Sequence, residues 1–280
     1  MRLSIAFFLC VVGAALSGCG SSETTTSIPV EERFRQAKAL FDDENYLTAI
    51  NEFNIITLQH QGSAYADSAQ FFIAESRFRR GEWLVAATEY GYLKRSYPAS
   101  PLVPEAQYKL ALSYYNLSPR SELDQQYTVK AIDEFQAFRD YYPTNQHAAE
   151  ADDKIKELNT RLAKKAYETA RLYETMEDYK ASLFYFDDIL ARYHDTEYAP
   201  PAYLGKVEVL IARKKYDEAR TELQKFYDRF PDSVLKPRAD ALKDTIDKEL
   251  QGSNKVTGKS SSDIGSPDQA ENAHEHRTPH

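Results

Sequence analysis

Five segments of this 280-residue chain align with one another without a gap, and such a recurrence limits the fold more than composition does. They read NYLTAINEFNIITLQH from Asn45, EWLVAATEYGYLKRSYP from Glu82, YTVKAIDEFQAFRDYYP from Tyr127, DYKASLFYFDDILARYH from Asp178 and KYDEARTELQKFYDRFP from Lys215. Tyr46, Trp83, Thr128, Tyr179 and Tyr216 serve as anchors. Three residues on, every copy is small: Ala49, Ala86, Ala131, Ser182, Ala219. Seven on, it is large: Phe53, Tyr90, Phe135, Phe186, Leu223; ten on come Ile56, Leu93, Phe138, Ile189 and Phe226. Offsets of 3, 7, 10 and 14 trace one stripe on an α-helix, not the alternation of a strand. The small residue marks where a neighbouring helix approaches, and Pro98, Pro143 and Pro231 at offset fifteen stop their helices.

Upstream of each anchor lies a second helix, with Ala37, Ala74, Ala170 and Val207 nine residues before the anchor in four copies. Gly81 fits the tight turn between the two. Helix A, turn, helix B and proline together resemble the tetratricopeptide repeat, which implies an all-α, tetratricopeptide-repeat (TPR) helical solenoid of about five repeats. Anchor separations are 37, 45, 51 and 37 residues. The excess of eight falls between Tyr115 and Thr128, around Ser118-Pro119-Arg120-Ser121, and predicts a long connection. The excess of fourteen precedes the fourth helix A and is close to four turns. No Pro or Gly occurs from Thr144 to Tyr198, so that helix is predicted to start near Ala148. Ala239, Leu242, Ile246 and Leu250 form a C-terminal capping helix, with a stop expected at Gly252.

The two ends differ from the body. After Arg2, residues 3–16 are an apolar stretch too short to span a bilayer, and small residues follow. Leu16-Ser17-Gly18-Cys19 resembles the lipobox of bacterial lipoproteins, which implies cleavage before Cys19 and its acylation. Gly20, where an aspartate retains such proteins in the inner membrane, implies the outer membrane. The expected layout is a lipoprotein signal peptide at 1–18, a flexible tether at 19–30, the solenoid at 31–250 and a disordered polar tail at 251–280.

Chemistry is scarce in the body. Its only cysteines, Cys10 and Cys19, precede it, which leaves no thiol for catalysis, metal or disulfides. His60, His147 and His194 are unpaired by spacing, and His274, His276 and His280 sit in the tail. There is no His-x-x-x-His, Gly-x-Ser-x-Gly or phosphate loop, so no enzyme, no metal site and no cofactor are expected. Acidic doublets such as Asp42-Asp43 and Asp152-Asp153 read as solvated faces. Residues 31–250 carry 31 basic against 38 acidic side chains, which argues against nucleic acid.

Lipobox, short tether, five repeats and little else resemble the BamD (ComL) family of outer-membrane β-barrel assembly lipoproteins. The likeness covers residues 16–250 and is closest from Tyr127 to Pro143 and in the long helix, at Arg161-Leu162-Ala163-Lys164 followed by Tyr167 and Tyr173. Where that family often has a Glu shortly after, this chain has Ala166. The resemblance implies a non-catalytic scaffold of the assembly complex at the periplasmic face of the outer membrane. Its implied partners are a BamA-like barrel protein through its POTRA domains, other assembly-complex lipoproteins and unfolded outer-membrane proteins. On this reading Arg161, Lys164 and Lys165 form a docking edge. The alternative is a periplasmic TPR adaptor of the Tol-Pal type, but those have a coiled coil before the repeats and no lipobox, the reverse of this chain.

The residues offer one binding hint of their own. Twelve and five positions before the anchor stand Phe34 and Phe41, then Phe71 and Phe78, and, allowing for the eight-residue excess, Tyr108 and Tyr115. Such a ladder is expected either to hold an extended peptide, with Arg79 or Arg80 for its carboxylate, or to pack helix A on helix B. Trp83 is expected in the core.

Overall fold

The computed structural model describes residues 28–260; the signal, Cys19, most of the tether and residues 261–280 lie outside the described residues. Eleven α-helices and no strand occur among them. They are α1 (Val30–Asp42), α2 (Tyr46–Gln59), α3 (Ala66–Arg79), α4 (Trp83–Ser96), α5 (Val103–Leu117), α6 (Gln126–Tyr141), α7 (Ala148–Thr175), α8 (Tyr179–Arg192), α9 (Ala199–Ala212), α10 (Tyr216–Arg229) and α11 (Lys236–Ser260). The fold is a TPR helical solenoid of five helix pairs, α1/α2 to α9/α10, with α11 after them. Two compact units divide within α3, after Ser76.

The repeat register maps directly onto these helices. Four anchors are the first residue of their helix B, and Thr128 is the third residue of α6. The residues at offsets 3, 7 and 10 are all 0–2% exposed. In the first unit they join Ala37, Ala69 and Ile73 in one cluster. In the second unit three clusters follow: Tyr108 to Leu158 across α5, α6 and α7; Ala163 to Val209 across α7, α8 and α9; and Tyr203 to Ile246 across α9, α10 and α11. Offset 14 supplies the C-cap residue of each helix B: His60, Tyr97, Tyr142, Tyr193 and Phe230. Close packing of α8 on α9 depends on Gly205, because any Cβ there would collide with the ring of Phe186.

Connections from helix B to the next helix A are uniform: residues 60–65, 97–102, 142–147, 193–198 and 230–235. Each repeats the same pair of backbone bonds, for example Ser63 N–H to His60 O and Ala66 N–H to Ser63 O. The four short A-to-B turns (43–45, 80–82, 176–178, 213–215) also share one geometry. Their central residues, Glu44, Gly81, Glu177 and Lys214, have φ of 60, 74, 60 and 58°. Around each, two bonds return to the preceding helix, as from Glu177 N–H to Glu174 O (3.0 Å) and Asp178 N–H to Tyr173 O (3.0 Å). The second of these bonds reaches one residue further back, as in a Schellman closure. Only Gly81 adopts this left-handed conformation without a Cβ penalty.

The two predicted insertions lie where the spacing puts them. Residues 118–125 form the long α5–α6 connection, and α7 is 28 residues long, starting at Ala148. All nine body prolines lie in connections or in a first turn, as Pro104 does in α5. Two expectations need correction. The terminal helix does not stop at Gly252 but runs to Ser260, since an interior glycine weakens a helix without breaking it as proline would. Trp83 is half-buried rather than enclosed, because the first residue of a helix packs on one side only.

Candidate functional site

In the first unit, Phe34 and Phe41 stand on the same face of α1 as buried Ala37, at spacings of three and four. That shared face turns the rings toward α2 and the start of α3, and both are half-buried. Phe34 packs 5.6 Å from Phe53, 5.1 Å from Tyr65 and 6.1 Å from Phe72. Phe41 lies 5.5 Å from Tyr46 and 5.0 Å from Phe72. Phe72, absent from the predicted ladder, is the hub: it stacks on Phe53 at 5.5 Å and takes the edge of Phe71 at 5.8 Å. The outer edges of Phe34 and Tyr65 still line an open groove of 480 Å³ with Arg35 and Lys38 beside Glu31 and Asp42. Lys38 Nζ also sits over Phe72 at 5.2 Å. Arg35 holds the Glu32 carboxyl below the usual carboxylate range.

The second unit separates the rest of the ladder. Phe78 is half-buried under Lys109 Nζ at 5.1 Å, and Arg79 is exposed at the end of α3. Arg77 and Arg80, on either side of it, both pair with Glu82, and their hydrogen bonds hold its carboxyl low. Tyr108 is 2% exposed, between Phe138 (5.4 Å) and a stacked His147 (4.2 Å). Burial first, and Glu150 next, push its phenol well above the usual range. Tyr108 therefore cannot touch a ligand, which corrects its place in the ladder. Tyr115 packs its edge on Phe135 at 6.5 Å and donates its hydroxyl to Glu157 at 2.7 Å. The cause was legible: positions −12 and −5 share a face with the small residue at −9, the face that packs.

The basic edge of α7 is only partly an edge. Arg161 Nη1 donates to Ser118 Oγ (2.7 Å), Ser118 O (3.2 Å) and Pro119 O (3.2 Å), while Nη2 donates to Glu157 (3.0 Å). Lys165 Nζ donates to Leu123 O at 2.6 Å. These two side chains hold the 118–125 connection in place, a use that sequence reading missed because the acceptors are backbone groups about forty positions away. Lys164 alone turns outward, 3.8 Å from Glu168. At the start of α6, fully buried Thr128 donates to Gln125 Oε1 (2.7 Å) and bonds Ser118 Oγ (2.6 Å). Gln125 in turn donates to Arg120 O and Leu123 O. A polar cleft of 540 Å³ opens between this connection, α7 and residues 197–198.

The described histidines serve as structure in this geometry. His60 is the C-cap of α2, His194 follows α8, and His147 is the N-cap of α7 with Glu105 at 3.5 Å and Glu150 at 3.6 Å. Among the described residues no three His, Cys, Asp or Glu side chains are placed to hold a metal ion. No helix among them is long and apolar enough to cross a membrane.

Comparison with known proteins gives two family matches. The model of the family YfiO, described as outer membrane lipoprotein, matches residues 27–209, and a tetratricopeptide-repeat model matches residues 202–233. The outer membrane protein assembly factor BamD of Rickettsia prowazekii is 28% identical over 214 residues, covering 76% of this chain and 85% of that protein. The BamD of Caulobacter vibrioides is 23% identical, covering 78% of this chain and 73% of its own. That of Neisseria meningitidis is 24% identical, covering 75% and 84%.

Proposed function

The chain belongs to the YfiO family of outer-membrane lipoproteins, that of the assembly factor BamD, and from this premise we propose how it takes part in outer-membrane protein assembly. It associates with the outer membrane and acts in the assembly complex there. It is a non-catalytic scaffold, tethered at the periplasmic face through acylated Cys19, where two or more acyl chains give a stable anchor. Its body binds a BamA-like barrel protein through POTRA domains, together with other lipoproteins of the complex. Unfolded outer-membrane proteins are received on the α1 side of the first unit.

The observation that carries this reading is the groove between Phe34 and Tyr65. It offers aromatic edges for an apolar side chain, and Arg35 and Lys38, paired with Glu32 and Asp42 in the free protein, for an incoming carboxylate to take over, as an extended terminal segment requires. Phe41 and Phe71 support that surface by packing on Phe72. Photo-crosslinking to a peptide from the last strand of a barrel protein tests it. Arg35→Glu with Tyr65→Ala should cut the crosslink several-fold while melting stays cooperative; an undiminished crosslink removes the groove from the mechanism. Pull-down from detergent-solubilised outer membrane should recover a barrel protein with POTRA domains, and its absence would remove the scaffold role.

A further inference from the structure

One stripe runs the length of α7 and is covered only in its first half. Ala151, Ile155, Leu158, Leu162, Lys165, Thr169, Leu172 and Met176 follow one another at alternating steps of four and three, on one side of the helix. Ala151 and Leu158 are 0% exposed and belong, with Ile155 and Leu162, to one packed cluster with Phe135 and Phe138 of α6. Lys165 meets the 118–125 connection. Beyond it the stripe lies open, with Leu172 57% and Met176 64% exposed.

The repeat register explains the opening. Leu172 stands seven residues before its anchor, Tyr179. At that position the next units on either side have Ser113, allowing for the eight-residue excess, and Val209, and the second unit has Ser76; all three are 0% exposed. Val209 packs with Phe186 and Ile189 of α8, the helix B of the preceding unit. For Leu172 the corresponding helix is α6. That helix instead sits at Leu158, fourteen residues or about 21 Å back along α7. The insertion thus leaves a large apolar side chain bare at a position that the fold otherwise encloses.

The open face continues onto α8. On the circumference of α7, Met176 falls between Leu172 and Tyr173. Tyr173 stacks on Tyr185 at 5.7 Å, and Tyr185 meets the ring of Phe184, 65% exposed, at 5.4 Å. Nearby, Glu174, Asp187 and Asp188 are paired with Arg171, Lys206 and Arg192. The other charges within one turn, Glu168, Glu177, Asp178 and Lys180, hold no excess of cations to draw an anionic lipid surface. Apolar residues on two adjoining antiparallel helices suit the ridge of a third helix, which is how α6 already uses this stripe. Three exposed side chains are too few for the roughly 800 Å² per side of a stable dimer, which points to a partner held in place by other contacts as well. We propose that Leu172, Met176 and Phe184 seat an amphipathic helix of another protein of the assembly complex, where α6 would lie in an uninterrupted repeat. Its docking residues are aliphatic or aromatic and spaced three or four apart. The identity of that partner as a member of the complex rests on the scaffold reading above.

Photo-crosslinking of the full chain in outer membranes tests the seat, with benzoylphenylalanine placed in turn at Leu172, Met176 and Phe184. Mass-spectrometric mapping should find crosslinks on one segment of one partner, at residues three, four or seven apart. Leu172→Ala with Phe184→Ala should cut the crosslink from position 176 several-fold and leave melting unchanged, since both side chains are exposed. Crosslinks only to lipid, only to a second copy of this chain, or to partner residues without helical spacing overturn the proposal, and so does their absence. If the pull-down recovers the POTRA-domain protein while crosslinking fails, this inference alone falls. Helically spaced crosslinks without that protein in the pull-down would keep the seat and remove the scaffold role.

Discussion

The four short A-to-B turns and the single long one solve the same problem by different physics. Each short turn closes on its own backbone, through one left-handed residue and two bonds to the helix just finished. Residues 118–125 contain no left-handed residue and are instead held by Arg161 and Lys165, from a helix that starts more than twenty residues later. A short turn can thus form as soon as its helix does. The long connection has local bonds through Gln125 and Thr128, but those from Arg161 and Lys165 exist only with α7 docked, so part of its order reports tertiary structure.

The contrast can be broken most strongly at Arg161. Arg161→Ala leaves Ser118 O, Ser118 Oγ and Pro119 O without their charged donor, a loss of about 2–3 kcal/mol in urea unfolding. Amide exchange should accelerate across 118–125 and not at the short turns; a connection that stays protected would show that its own residues hold it. Thr128→Val keeps the shape and removes the hydroxyl shared by Ser118 and Gln125, at a cost of about 1–2 kcal/mol. The short turns should respond in the opposite direction. Glu177→Gly and Lys214→Gly relieve a left-handed Cβ and should each gain about 0.5–1 kcal/mol, additively in calorimetry, whereas Gly81→Ala should lose about 1 kcal/mol.

The smallest effect concerns the residue that opens the Glu177 turn. Burial holds the Glu174 carboxyl above the usual range, while Arg171 works against that rise. A raised carboxyl binds its proton better in the native state than in the unfolded chain. Its stabilising contribution is therefore complete below the ordinary glutamate pKa of about 4.3 and is lost as pH rises through the native value. Glu174→Gln should remove that slope. Melting temperatures of the two proteins, compared from pH 4 to 7, should diverge in favour of the variant as pH rises.

Much of the fold was legible because its determinants are periodic. The stripe at offsets 3, 7 and 10, the fourteen-residue extension of α7 and the proline stops each follow from spacing within one helix or turn. Tyr108 was misplaced for a reason equally local, since its distance of three from Ala111 already assigned it to the packed face. Other features had no local signal. Phe72 becomes the aromatic hub through Phe53 and Phe34 on other helices. Arg161 and Lys165 look like a free basic edge until the backbone of residues 118–123 is found against them. Side chains whose partners are carbonyl oxygens leave no trace in a pattern of side chains.

The length of α7 has a consequence for how this chain can vary. At 100° per residue, fourteen residues turn a helix through nearly four full revolutions and leave it about 40° short of its starting phase. The units after Thr175 are thus presented almost as an unextended repeat would present them. Removal of seven residues between Ala148 and Arg161 would shift the phase by only about 20°. Removal of five would swing everything beyond, with α8 and α9 still packed on Ala163, Ala166 and Ala170, by about 140° relative to α5 and α6, on which the first half of α7 packs. Helical phase, more than length, sets which insertions and deletions this segment tolerates.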